Sequence, residues 1–378
     1  MFRFGAVCKN WQSIAKLNHQ THQFKTNILP MLVIPWETFF LTQIYAYSDK
    51  KKKTWWLYSI PNKRSYPFLQ FNQPCLKLRL CGSSHGWLAL VDDSTSITTL
   101  MNPFIKDIPH IILPPLNLVY KVTLSADPIK CPNDYMVAAI YDSTVCCGDG
   151  NLAFMRSGQT FWTYLDTSKS GFCDVIFYKG LLFALNVFRR IVSFNFGCSN
   201  DHLDRKAITS YDGECCFEGK YFVKSLKEEL WIVRGCNERK GVFRVFKLQL
   251  DAKNEKVEQM FELKCLEDNI LFLGEGDSIS ISASYFSKSL QRDSIYFANY
   301  LKIYDMKSES ISYHCLEYSD WTTNFWVLPH FEWNCVRRLP RGIGTIRDEK
   351  MERGQQSKGM RKGIRKRFSN IKLRDFQC

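Results

Sequence analysis

A glycine-flanked serine is the first place where the residue types could do chemistry. Gly82, Ser84 and Gly86 form the pattern Gly-x-Ser-x-Gly. In hydrolases this pattern is a nucleophile elbow, which needs a strand before the serine and a helix after it. Here the apolar run WLALV follows at residues 87–91, and such a run favours a strand. We therefore predict a turn between two strands, and a hydrolase that uses Ser84 is kept only as a contrasting hypothesis.

Other spacings that support catalysis or metal binding do not occur in the sequence. The fifteen cysteines and seven histidines are scattered, without C-x-x-C or zinc-finger spacing. The glycines at 274–277 lack the following helix that a dinucleotide site requires, and the acidic pairs at 92–93 and 228–229 are typical of solvated hairpin tips. We expect free, buried thiols in a reducing compartment, and no catalytic residue, cofactor or metal.

Short strands are the elements that must position these residues. From residue 31 to about 314, more than a dozen apolar segments alternate with turn residues such as Lys179 and Gly180. Such spacing fits a sandwich, a barrel or a propeller. Segments 175–196 and 294–314 share a pattern of strand, turn and strand that favours propeller blades. Blades of roughly 40–50 residues predict an all-β propeller of about six blades, with most tryptophans in its core.

A helix is predicted before the strands. In residues 2–16, one apolar stripe at helical spacing contains Phe4, Val7, Cys8, Trp11 and Ile14. Residues 17–30 are polar and end at a proline, which is typical of a linker.

The basic charge is concentrated at the other end of the chain. The net charge is +14, and residues 337–378 account for +10 of it. The body is therefore near neutral, so we expect no nucleic-acid-binding face on it, and only the basic tail is a candidate for such contact. Residues 336–378 are predicted to be a disordered tail. We find no signal peptide and no apolar run of membrane-spanning length, so we expect a cytoplasmic and/or nuclear protein without membrane contact.

The order of several motifs resembles one known family. The stretch Val7-Cys8-Lys9-Asn10-Trp11-Gln12-Ser13 resembles the C-terminal helix of an F-box. The body resembles the KIB-type β-propeller of plant F-box proteins. The matching stretches lie at 81–88, 100–104, 112–115, 174–180, 229–233, 243–248, 269–274, 293–297 and 303–306. The resemblance covers about residues 2–335, and it divides the chain into an F-box helix (1–16), a linker (17–30), a propeller (31–335) and a tail (336–378).

The resemblance implies a role in ubiquitination. An F-box docks on the Skp-type adaptor of an SCF E3 ubiquitin ligase, and the propeller presents a target protein, without chemistry of its own. The residues implied in adaptor binding are Val7, Cys8, Trp11 and Ile14. A complete F-box has three helices and opens with a Leu-Pro segment, whereas this chain begins within the last helix. We therefore expect adaptor binding to be weak or lost, and the alternative is a propeller interaction module that does not join a ligase.

Overall fold

A computed structural model describes most of the propeller. It describes residues 29–34, 53–71, 78–105, 108–142, 150–165, 171–188, 190–196, 203–210, 220–236, 241–253, 256–313 and 325–329. The predicted F-box helix, with Val7, Cys8, Trp11 and Ile14, lies outside the described residues. So do nearly all of the predicted linker and the whole basic tail. The boundaries of these segments therefore stay predictions.

The described strands form six sheets, which are the six blades of a β-propeller. Blade 1 holds β25 (Phe325–Val327), β1 (Met31–Ile34), β2 (Lys53–Ser59) and β3 (Arg64–Phe71). Blade 2 holds β4 (Leu78–Ser84), β5 (Trp87–Asp92), β6 (Ile97–Met101) and β7 (Ile111–Ile112). Blade 3 holds β8 (Val119–Leu124), β9 (Met136–Tyr141), β10 (Asn151–Arg156) and β11 (Thr163–Tyr164).

The remaining strands make up the other half of the ring. Blade 4 holds β12 (Phe172–Tyr178), β13 (Leu181–Asn186), β14 (Arg190–Phe196) and β15 (Leu203–Ser210). Blade 5 holds β16 (Lys220–Lys224), β17 (Leu230–Cys236), β18 (Val242–Leu250) and β19 (Val257–Leu263). Blade 6 holds β21 (Ile279–Ser282), β20 (Asn269–Leu273), β22 (Ser294–Phe297), β23 (Lys302–Asp305) and β24 (Ser310–Tyr313). The all-β propeller prediction is confirmed, with six blades.

The hydrophobic core lies between the blades. Each of six apolar clusters combines residues from two neighbouring blades. Successive side chains of a strand point to opposite faces of its sheet, so one strand serves two clusters. On β13, Leu182 and Ala184 pack toward blade 3, whereas Phe183 and Leu185 pack toward blade 5. Both faces of β13 are therefore buried, which explains its continuous apolar sequence.

The two ends of the described chain meet in blade 1. The last described strand, β25, pairs antiparallel with the first strand, β1, with Leu32 opposite Trp326. The Trp326 ring is 1% exposed, and its indole nitrogen donates a hydrogen bond to the Leu273 carbonyl of blade 6 at 3.0 Å. The ring of blades is thus closed by non-covalent strand pairing.

Blade 6 departs from the simple meander of blades 2 to 5. Its five strands include one parallel pair, β20 with β22, while the other pairs are antiparallel. The loop between β20 and β21 runs from Gly274 to Ser278, and it contacts inner strands of other blades. The sequence predicted no helix after the glycines of this loop, but the position of the loop against the inner strands was not foreseen.

The cysteine prediction holds only in part. Among the cysteines whose side chains the structure describes, Cys81, Cys131, Cys173 and Cys265 are free thiols, and Cys81 is buried. Cys131 is partly exposed, and Cys173 and Cys265 are exposed. Among the described residues, no helix is long and apolar enough to cross a membrane.

Candidate interaction surfaces of the propeller

Ser84 lies at a hairpin and not at a nucleophile elbow. It is the last residue of β4, and β5 begins three residues later at Trp87. Between them, His85 and Gly86 have φ angles of 52° and 81°, as a two-residue type I′ hairpin turn requires. The buried Ser84 hydroxyl oxygen accepts a hydrogen bond from the Leu124 backbone N–H at 3.2 Å. The prediction of a turn between strands is confirmed, and Ser84 joins blade 2 to blade 3.

A buried ion pair joins the inner strands of blades 3 and 4. The Lys121 ammonium bonds to the Asp174 carboxylate, and their side chains are 8% and 3% exposed. Asp174 also accepts a hydrogen bond from the Phe222 backbone N–H on the inner strand of blade 5, at 2.6 Å. Two side chains thus link three consecutive blades around the axis. A buried charge of either sign needs such partners, since desolvation is otherwise costly.

The loop from Gly274 to Ser278 brings a fourth blade to the same cluster. The Gly276 carbonyl accepts a hydrogen bond from Lys121 Nζ at 2.9 Å, and the Asp277 backbone N–H donates to the Ser83 carbonyl at 3.0 Å. A Cβ on Gly276 would lie 3.0 Å from Cβ of Ser83, so only glycine fits without displacement. We call Ser83, Lys121, Asp174, Gly276 and Asp277 the axial cluster.

Burial changes the proton affinities in the axial cluster. Desolvation raises the pKa of the Asp277 carboxyl, although the charge of Lys121 and hydrogen bonds to Ser84 and Thr123 oppose the shift. Burial likewise raises the pKa of the neighbouring Glu275. Desolvation lowers the pKa of Lys121, but attraction to Asp174 and Asp277 outweighs it, so the net shift is upward.

These shifts indicate what the axial cluster can do chemically. A nucleophilic or basic lysine needs a lowered pKa, and the raised pKa of Lys121 keeps it protonated. Nor does the described part of the chain contain a group of three or more potential metal ligands. The hydrogen bonds of the axial cluster join the inner strands of blades 2 to 5 and the loop of blade 6.

An apolar patch is exposed on one face of the propeller. In each of blades 2 to 5, the chain enters at the innermost strand and continues outward through the sheet. The innermost strands therefore all begin on the same face of the propeller, which we call the upper face. The connections before β8 and between β13 and β14 both lie there. They and the start of β8 expose four apolar residues, the upper-face patch: Leu118 (39%), Tyr120 (43%), Val187 (45%) and Phe188 (63%).

Tyr120 is fixed within this patch by a polar contact. Its hydroxyl donates a hydrogen bond to the buried carboxylate of Asp142 at the end of β9. That hydrogen bond raises the pKa of Tyr120 to about 12, so the phenol stays neutral at physiological pH. The patch therefore presents a neutral aromatic ring in a defined orientation.

The site residues predicted from the sequence are not the residues that the structure brings together. The implied adaptor-binding residues Val7, Cys8, Trp11 and Ile14 lie outside the described ranges, so their role stays a prediction. The axial cluster was missed, because Lys121 and Asp174 are 53 positions apart and nothing local relates them. The one available signal was a charge inside each of two apolar strand segments, since a buried charge is rare without a partner.

Comparisons with known proteins agree with this architecture. The sequence profile of the family described as KIB1-4 beta-propeller matches residues 57–318. The F-box protein SKIP23 of Arabidopsis thaliana is 23% identical over 344 residues, which cover 79% of this chain and 78% of that protein. The F-box/kelch-repeat protein At1g57790 of the same plant is 23% identical, over 86% of this chain and 88% of its own length.

Two further matches are partial or distant. The putative F-box protein At5g55150 of Arabidopsis thaliana is 28% identical over 166 residues, or 41% of this chain and 43% of that protein. Among solved structures, the propeller domain of Cps50 (Swd1) from Myceliophteria thermophila is 9% identical with a TM-score of 0.36, over 69% of this chain and 79% of that chain. The profile match spans more than half of the chain, and the chain therefore belongs to the KIB1-4 β-propeller family, with plant F-box proteins as its relatives.

Proposed function

We propose that this chain is a non-enzymatic substrate-recognition subunit of an SCF-type E3 ubiquitin ligase, in which the propeller binds the target protein. The coarser part, an F-box-type interaction module, follows from the family and its relatives. The finer part, assembly with a Skp-type adaptor and a cullin in the cytoplasm and/or the nucleus, is the proposal.

One observation carries the proposal. A propeller shared with F-box proteins exposes an apolar patch on a face whose inner strands are braced by the axial cluster. Exposed apolar patches on a rigid scaffold are typical of protein-binding surfaces. A rigid recognition surface suits a receptor, because little conformational entropy is lost when a partner binds.

Co-purification from plant cells tests the proposal. The full chain, carrying an affinity tag, is recovered from cells with and without a proteasome inhibitor. We expect the Skp-type adaptor and a cullin in the recovered complex, together with proteins that accumulate only when the proteasome is inhibited. Recovery of stable partners without any adaptor or cullin would contradict the ligase role and favour the alternative of a free interaction module.

A further inference from the structure

Backbone hydrogen bonds connect the parts of the upper-face patch that lie on blades 3 and 4. The Asp142 backbone N–H donates a hydrogen bond to the Leu118 carbonyl at 3.1 Å, so the residues around Tyr120 are tied together. The Phe172 backbone N–H donates to the Gly150 carbonyl at 2.8 Å, which ties blade 3 to the start of β12.

Two glycines hold this surface in a fixed shape. A Cβ on Gly150 would lie 2.1 Å from the Phe172 carbonyl oxygen, so the two blades approach each other more closely than any side chain allows. Gly171 has a φ of +52°, and its Cβ would lie 2.8 Å from Val187 Cγ2. The Val187 backbone N–H donates to the Gly171 carbonyl at 2.9 Å. Val187 and Phe188 are thus presented by backbone contacts that already exist before any partner binds.

Positive charge borders the patch at blade 4. The Lys220 ammonium, in a residue only 8% exposed, donates hydrogen bonds to the carbonyls of Asn186 and Val187 at 3.4 and 2.8 Å. The Arg190 side chain is exposed at the start of β14. Among the described residues, neither cation forms an ion pair with a carboxylate.

Both signs of charge are present at the other end of the patch. The Asp142 carboxylate accepts a hydrogen bond from the Tyr120 hydroxyl, and Arg79 pairs with Asp93 at 3.1 Å. Among the described residues, the charged side chains at the Phe188 end are the cations Lys220 and Arg190. A carboxylate brought to that end would meet two cations, one of which is largely shielded from water.

We propose that the upper-face patch binds a peptide segment of the target protein that carries an Asp or Glu close to two apolar side chains. The apolar side chains pack against Tyr120, Val187 and Phe188, and the carboxylate faces Arg190 and Lys220. This assignment rests on the proposed function only in taking the occupant to be the target protein. Affinity comes from the apolar contacts, and the cations select an acidic segment over a basic one.

A phage-displayed library of random peptides, selected on the purified full-length chain, tests the assignment without knowledge of the target. We expect enriched peptides that combine Asp or Glu with aromatic or aliphatic residues. Phe188→Ser and Arg190→Glu should each weaken binding of the selected peptides about tenfold or more, as expected for the loss of about 1.4 kcal/mol. Tyr313→Ser removes an aromatic side chain that is 67% exposed on blade 6, and it should leave binding unchanged.

A charge exchange makes the test specific. Peptides in which the acidic residue is replaced by Lys should bind Arg190→Glu better than they bind the wild type. The assignment is overturned by a selection without enrichment, by enriched peptides that lack carboxylates, or by selected peptides that bind both variants as well as the wild type. Self-association of the wild type that Phe188→Ser abolishes would also overturn it, because the occupant would then be a second copy.

The peptide assay and the co-purification test separate claims, so one claim can be refuted while the other stands. Both substituted side chains are exposed, so we expect melting temperatures within a few degrees of the wild type. Loss of adaptor recovery with intact peptide selectivity would refute the ligase role and leave the binding surface standing. Adaptor recovery with no peptide selectivity would refute this surface and leave the ligase role standing.

Discussion

Lys121 is the residue on which the axial cluster depends. Replacing it with methionine would leave Asp174 buried without its counter-charge, and removal of one partner of a buried pair costs about 3–5 kcal/mol. We expect Lys121→Met to lower the free energy of unfolding in urea by about that amount. The double variant Lys121→Met with Asp174→Asn should recover part of the loss. Lys264→Met is the control, since its side chain is 84% exposed, and an equal loss there would contradict the assignment.

Asp277 makes stability depend on pH in a defined direction. Its carboxyl pKa is raised in the folded state, so the folded protein binds more protons than the unfolded chain between the two pKa values. The free energy of unfolding should therefore decrease as the pH rises through the raised pKa. Asp277→Asn carries no such charge, so we expect it to gain stability relative to the wild type at pH 7 and much less at pH 4. Urea titrations at both pH values measure this difference, and a gain that is larger at pH 4 would refute it.

At the level of the element, the closing strand β25 is the most critical. It supplies Phe325 and Trp326 to two different inter-blade clusters and pairs with β1. A chain that ends at Asn324 loses these contacts, and burial of large aromatic side chains contributes about 3–5 kcal/mol each. We expect its thermal transition to broaden and to shift to a much lower temperature.

A matched truncation separates closure from the tail. A chain that ends at Val336 keeps every described strand and removes the segment that carries most of the net charge. We expect it to melt within a few degrees of the full chain, since a tail without an apolar period adds no core. Calorimetry of the two truncated chains decides the point. If the two melt alike, β25 does not close the propeller.

At the same level, local patterns determined much of what could be predicted. The Lys179–Gly180 turn was predicted from turn residues between two apolar segments. Both residues have positive φ, 48° and 78°, as a two-residue hairpin loop requires. Segment 175–196, predicted as strand, turn and strand, forms most of β12, together with β13 and β14, in blade 4. The parallel pairing of β20 with β22 was missed, because period-2 alternation does not reveal which strands are neighbours.

At the level of the whole molecule, the limits of prediction come from contacts between blades. The pairing of β1 with β25, which closes the ring, joins residues almost 300 positions apart. The sequence repeats have diverged too far to show which residues of such distant strands lie opposite each other. The upper-face patch could not be predicted either. Phe188 and Tyr120 have the same residue types as core aromatics, and only the folded ring shows which of them stay exposed.

The central claim is that the chain joins an adaptor and a target through separate parts. A calorimetric titration of the purified full chain with a plant Skp-type adaptor tests it most directly. We predict saturable one-to-one binding with a Kd of about 1 µM or weaker, reduced by Trp11→Ala and unchanged by Phe188→Ser. Of the two outcomes expected from the sequence, weak or lost adaptor binding, the ligase role requires the weak one. Absence of binding at high adaptor concentration would therefore contradict the claim and favour the alternative of a free interaction module. Binding that Phe188→Ser abolishes and Trp11→Ala does not affect would also contradict the claim.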